Sequence, residues 1–165
     1  MTVGGYNHSI FLVKLQPSML HSRLLGSHWY VEVRTMAAIR ILLVDDECLV
    51  RKVLRQILAT YPDVEVVGEA AAGDEAISSV ELLQPHIVIM DIRMPRMDGI
   101  AAAREISQRF SHVKIIGLTE YAYGYHADAM EKAGAAGVYQ KSKATEELYA
   151  AIKRIGGQDS PVVWA

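Results

Sequence analysis

Cysteine is nearly missing from these 165 residues: Cys48 stands alone. That excludes an internal disulfide framework and suits a reducing cytoplasm, the expected location. Long apolar runs are missing too. No stretch approaches the roughly 18 residues that cross a bilayer, so no membrane association is expected. Charge of one sign is not in excess. The formal charge is −2, and nothing in that balance asks for nucleic acid or an anionic surface. There is no internal repeat and no low-complexity tract. His8, His21 and His28 lack metal-ligand spacing and read as unrelated surface residues.

What is present has the make-up of a globular protein, 51% hydrophobic and 22% charged, in a chain long enough for one cored domain with some extra. The charge is unevenly placed. Lys14, Arg23 and Arg34 against Glu32 make residues 1–35 net +2, which leaves −4 for the remainder. A boundary near Met36 follows, and "MAAIRILLVDDE" reads as a complete start. Residues 1–35 are expected to be a poorly ordered, dispensable extension. "IFLVKL" within them has strand character but no obvious partner. Lys14 interrupts it and no A-x-A site follows, so it is not a signal peptide.

From Met36 the sequence alternates. Arg40–Val44, Val64–Ala70, Ile87–Met90, Lys114–Leu118 and Val138–Gln140 read as strands. Cys48–Thr60, Gly73–Gln84, Gly99–Phe110, Tyr125–Ala133 and Thr145–Ile155 read as helices. In the first helix Val50, Val53, Leu54, Ile57 and Leu58 share an inward face, with Arg51, Lys52 and Arg55 opposite. Strands this uniformly apolar are buried on both faces. The expected fold is therefore α/β, a doubly wound five-stranded parallel sheet, with 2-1-3-4-5 the common strand order. Residues 36–156 would form this domain, and 157–165 a tail or linker remnant.

In such a sheet ligands sit outside the carboxyl ends of the strands, where the order reverses. The first strand ends at Asp45 and Asp46, and the third at Asp91. Three carboxylates in one crevice repel each other near a low-dielectric core and call for a hard cation. Mg2+ suits, since it takes one or two carboxylates and keeps waters and phosphate oxygens as its other ligands. Thr119 and Lys141 end the fourth and fifth strands. They offer a hydroxyl and a point charge for phosphate, beside carboxylates able to act as covalent nucleophiles. Pro95 and Asp98-Gly99 read as a turn and a helix start. Cys48 reads as ordinary packing, His86, His112 and His126 as surface residues, and Tyr121, Tyr123 and Tyr125 as partly buried.

"LLVDDE", "IVIMDIRMPRMDGI", "IIGLTEY" and "AGAAGVYQK" resemble the receiver domain of two-component response regulators, with its flavodoxin-like fold. "VEVVGEAAAGDEAI" and the Lys141–Ser142 pair resemble its NarL/FixJ subfamily. The match runs from about Ile39 to Ile155. The resemblance implies that Asp91 accepts a phosphoryl group from a sensor histidine kinase or phosphotransfer protein. It implies that Asp46 binds Mg2+ directly, Asp45 mainly through water, and the Arg93 carbonyl as a further ligand. Lys141 would pair with the phosphoryl group and Thr119 would swing toward it. That swing would bias the surface of the fourth helix, fifth strand and fifth helix, where a second copy or an output partner would dock. Self-phosphorylation and self-dephosphorylation would be the only chemistry, so no enzyme in the ordinary sense is expected.

Three departures stand out. The family's aromatic switch position, three before the lysine, holds Val138, with Tyr139 next. Its small residue after the threonine is Glu120, which could restrict access to the site. The subfamily continues into a helix-turn-helix, whereas this sequence stops at "GGQDSPVVWA". The expectation is thus a stand-alone or truncated receiver that does not bind DNA by itself. Two rivals are a pseudo-receiver acting only by interaction, and a small-molecule phosphatase with an aspartate nucleophile. Such phosphatases place D-x-D on the first strand and carry a cap, features not found here.

Overall fold

The strands sort their side chains by pleat, and that sorting builds the molecule. The structure, a computed structural model, describes residues 20–25, 28–33, 38–120 and 124–156. "IFLVKL", Met36, Tyr121, Tyr123 and residues 157–165 lie outside them. The chain divides into two units after Met36. In the first, β1 (Leu20–Leu25) pairs antiparallel with β2 (His28–Val33), from Leu20 opposite Val33 to Leu25 opposite His28. The reading of the residues did not contain this hairpin.

The second unit holds β3 (Ile39–Val44), α1 (Cys48–Leu58), β4 (Val64–Ala70), α2 (Gly73–Leu83), β5 (Ile87–Asp91) and α3 (Gly99–Arg109). It continues with β6 (Lys114–Thr119), α4 (Tyr125–Lys132), β7 (Gly137–Gln140) and α5 (Ala144–Gly156), with a tight 3-10 turn over Lys141–Lys143. The five strands of this unit form a parallel sheet in the order β4-β3-β5-β6-β7. Counted from β3, that is the 2-1-3-4-5 order expected of the sequence.

Each apolar run is divided between two cores, because successive side chains leave a strand on opposite faces. Leu42, Val44, Val88, Met90 and Ile115 pack with Ala76, Val80, Ala103, Ile106 and Met130 of α2, α3 and α4. Ile41, Leu43, Ile87, Ile89, Ile116 and Leu118 pack with Leu54 and Leu58 of α1 and Leu148, Ile152 and Ile155 of α5. Edge strand β7 is only half-buried throughout. No described helix is long and apolar enough to cross a membrane.

Three side chains lie elsewhere than the sequence pattern suggests. Val53 is 45% exposed, because α1 seats on the sheet through the narrower Leu54–Leu58 stripe. Cys48 is exposed rather than packed, since it opens α1 at the rim of the sheet. Tyr125 is 81% exposed at the first turn of α4, where Ala127 and Met130 supply the inward face instead.

The foot of β4 is tied to α5. Asp63 accepts from Lys153 Nζ at 2.6 Å and from the Tyr149 hydroxyl at 3.1 Å, while Tyr149 stacks on Tyr61. Burial raises the Asp63 pKa, but Lys153 and Tyr149 outweigh it and hold the carboxyl below its usual range. An acid with a depressed folded pKa adds stability above its unfolded pKa and loses it as pH falls through the folded one. Asp63→Asn is therefore expected to melt below wild type at pH 7. The gap should close as pH drops through and below the ordinary carboxylate range, as read from paired melts across that range.

Candidate functional site

Strand register sets the site. Val44 lies opposite Met90, so the next residues, Asp45 and Asp91, stand level at the carboxyl ends of neighbouring strands. Asp91 pairs with Leu118 and Thr119 with Gln140, which puts Lys141 two positions further along. At about 3.3 Å per residue that offset is roughly 6–7 Å, a span for a long side chain. Lys141 reaches back across it. Its ammonium lies 2.8 Å from Asp45 Oδ2 and 3.1 Å from Asp91 Oδ1.

Asp45 and Asp91 are buried, Asp46 is exposed, and carboxylate oxygens of all three lie within 4.8 Å of one another. Thr119 is buried at the end of β6. A cleft of about 260 Å³ opens over the cluster, lined by Asp46, Glu47, Asp91, Arg93, Glu120 and Lys141. The structure thus brings the acids, Lys141 and Arg93 to one cleft, with Thr119 on the adjoining strand end. Glu120 stands on the cleft wall, its carbonyl accepting from Gln140 Nε2 at 2.9 Å.

Burial raises the Asp91 pKa, and neighbouring Asp45 adds to it, so the Lys141 attraction is outweighed. For Lys141 the balance is reversed. Burial pushes its pKa down, but contacts to Asp45 and Asp91 push harder and the net shift is upward. Three carboxylates against one ammonium leave a formal excess of two negative charges. Asp45 Oδ2 is buried and receives no well-directed hydrogen bond, although the ammonium is close. A small divalent cation with oxygen preference fits this donor set.

Comparison with known proteins agrees. The response regulator receiver domain family matches residues 41–153. This chain belongs to that family. YhcZ, an uncharacterized transcriptional regulatory protein of Bacillus subtilis (strain 168), is 42% identical over 119 residues, 72% of this chain and 56% of that protein. The response regulator UvrY of Escherichia coli (strain K12) is 38% identical over 117 residues, 71% and 54% of the two chains. A LuxR-family response regulator structure from Aurantimonas sp. SI85-9A1 matches with a TM-score of 0.69 at 36% identity, over 73% of this chain and 86% of that one. The chain spans about half the length of the curated relatives it matches. Receiver domains generally bind Mg2+, which agrees with the charge excess of this one.

In this receiver Val138 packs toward the α4 core, and Tyr139 toward the α5 core, where its hydroxyl meets Arg154. Moving the aromatic by one residue moves it to the other face of the sheet. The reading of the residues also misplaced Arg51. Set on the outer face of α1, it instead turns back, with Nη1 2.6 Å from the Asp45 carbonyl oxygen and Nε 3.0 Å from Glu69. One signal was available: Arg51 lies four residues after Glu47, on the helix face nearest the acidic turn.

The loop after Asp91 closes on α3. Asp98 caps that helix by accepting from Ala101 N at 2.8 Å, and Gly99 N donates to Ile92 O at 2.9 Å. A Cβ at Gly99 would lie 3.0 Å from the Asp91 carbonyl carbon and collide with its oxygen. Gly99→Ala must therefore push α3 away from the Asp91 backbone. We expect a cost of about 1–3 kcal/mol, seen as a thermal midpoint several degrees lower in calorimetry.

Proposed function

We propose that this receiver accepts a phosphoryl group on Asp91 from a histidine kinase or phosphotransfer protein. The observation that carries the reading is the Lys141 ammonium held 2.8 Å from Asp45 and 3.1 Å from Asp91 at adjacent strand ends. An Asp91 carboxylate oxygen attacks phosphorus, an O–P bond forms, and the P–N bond of a phosphohistidine breaks with its electron pair returning to the imidazole. Asp45, Asp46, Asp91 and the Arg93 carbonyl would hold Mg2+. When bound, Mg2+ would neutralise charge on the transferring phosphoryl oxygens. Lys141 keeps its proton and supplies a fixed positive charge to the same oxygens. Thr119 donates to them once the new dianion is in place, and this favours a rearranged β6–α4–β7 surface.

Incubation with acetyl phosphate and Mg2+ is expected to add one hydroxylamine-labile phosphoryl group, read by intact-protein mass spectrometry. Asp91→Asn should reduce the label to background, and so should chelation of Mg2+. Undiminished labelling of Asp91→Asn would sink the assignment. No labelling of wild type by any donor would leave an interaction module instead.

Glu120 adds a negative charge to the cleft wall, where an anionic donor must enter. We propose that it slows phosphoryl entry by repulsion, which salt weakens. Glu120→Ala is expected to label several-fold faster at low salt, with a smaller gain at high salt. Equal rates at both salt concentrations would show that Glu120 does not restrict access.

A further inference from the structure

Three of the four polar atoms of Asp45 are hydrogen-bonded, and the fourth faces an ammonium. Its N–H donates to Ala70 O of β4 at 3.2 Å. Its Oδ1 accepts from Glu47 N at 2.9 Å, and Oδ2 faces Lys141 at 2.8 Å. Its carbonyl oxygen accepts from Arg51 Nη1 at 2.6 Å. Arg51 is itself held. Its side chain is 15% exposed, and its Nε meets Glu69 Oε2 at 3.0 Å, while Glu69 Oε1 takes Arg55 Nε at 2.6 Å. Glu69 stands on β4 opposite Leu43, one pair before the ends of both strands. Arg55 and, more weakly, Arg51 also lower the Glu69 pKa against its partial burial, so the anchor stays charged.

From this geometry we infer that Arg51, braced by Glu69, is a positioning residue that fixes the Asp45–Asp46 turn for cation binding. The inference rests on the proposed role of Asp45, Asp46 and Asp91 as the Mg2+ cluster. Asp46 is the exposed member, and none of the contacts above holds its side chain. Its direction therefore depends on the peptide plane that precedes it. That plane carries the Asp45 carbonyl, and Arg51 holds the oxygen. A guanidinium fork suits the task, since separate nitrogens serve the carbonyl and Glu69 together in a fixed plane.

Charge and orientation pull in opposite directions here, which separates the inference from simple electrostatics. As a cation near an acidic cluster, Arg51 opposes Mg2+. As a clamp on the turn, it assists. Residues that orient metal ligands are typically worth about tenfold or more in metal affinity. We therefore place orientation above the screened charge effect at this partly solvated position.

The test measures Mg2+ affinity of the full chain by calorimetry, with no phosphoryl donor present. Amide hydrogen exchange at Asp46 and Glu47 is followed in metal-free protein. Arg51→Lys keeps the charge and loses the fork, and is expected to weaken Mg2+ about tenfold and to speed exchange at these two amides. Glu69→Gln should act in the same direction, and Arg51→Met should weaken binding despite removing a positive charge. Lys52→Met removes a charge from the same helix but none of these contacts, and should leave affinity near wild type. The inference is overturned if Arg51→Lys matches wild type in both readouts, or if Arg51→Met binds Mg2+ more tightly. Failure of wild type itself to take up Mg2+ would count against the proposed function. The exchange readout would then still decide whether Arg51 holds the turn.

Discussion

One lysine keeps the carboxyl end of the sheet from flying apart. Asp45 and Asp91 are carried to the same level by buried strands whose register cannot slip without inverting both cores. Desolvation costs several kcal/mol per buried ion, and the two acids also repel each other. Lys141 answers both costs from the far edge strand, reaching past β6 to touch both carboxylates. The opposite outcomes of the pKa balance are informative. Attraction wins over burial for the lysine and loses to it for Asp91. One cation is enough to be held, and too little to neutralise what holds it.

That shortfall ties fold to function. A site with balanced charges would be a structural ion-pair network and nothing more. This one keeps its negative excess at a cleft, beside the exposed carboxylate of Asp46. The neighbouring elements are shaped to keep it there. Gly99 lets α3 press against the Asp91 main chain, and Gly73 N reaches Met97 O on the loop between them.

Much of this was legible in the residues. The apolar runs gave five strands, of which β4 and β7 at the edges are only partly buried, and strand ends falling on Asp45, Asp46, Asp91, Thr119 and Lys141 gave the crevice. Periodicity placed Leu54 and Leu58 of α1 on the inward face, where they are buried. It failed where side-chain length mattered more than the position of Cα. Arg51 starts on a flank of α1 and bends back over a turn, because a long stem with a fork at its end can reach what its Cβ does not face. The β1–β2 hairpin was missed for another reason. "LHSRLL" and "HWYVEV" are short and mixed in polarity, and neither shows the clean alternation that marks a half-buried strand.

Burial is unevenly distributed along the sheet. β3 and β5 are close-packed on both faces, and shifting them would open voids in two cores at once. β7 has no fully buried residue, and α4 begins after Gly124 at φ +103°. On β7 the one-residue displacement of the aromatic then matters. Val138 packs toward the α4 core and lines a groove of about 400 Å³ with Ala127, Glu131 and Tyr139. Tyr139 faces α5 and holds Arg154. β7 is thus packed on both sides, through Val138 against the α4 core and through Tyr139 against the α5 core, where its hydroxyl is bonded to Arg154.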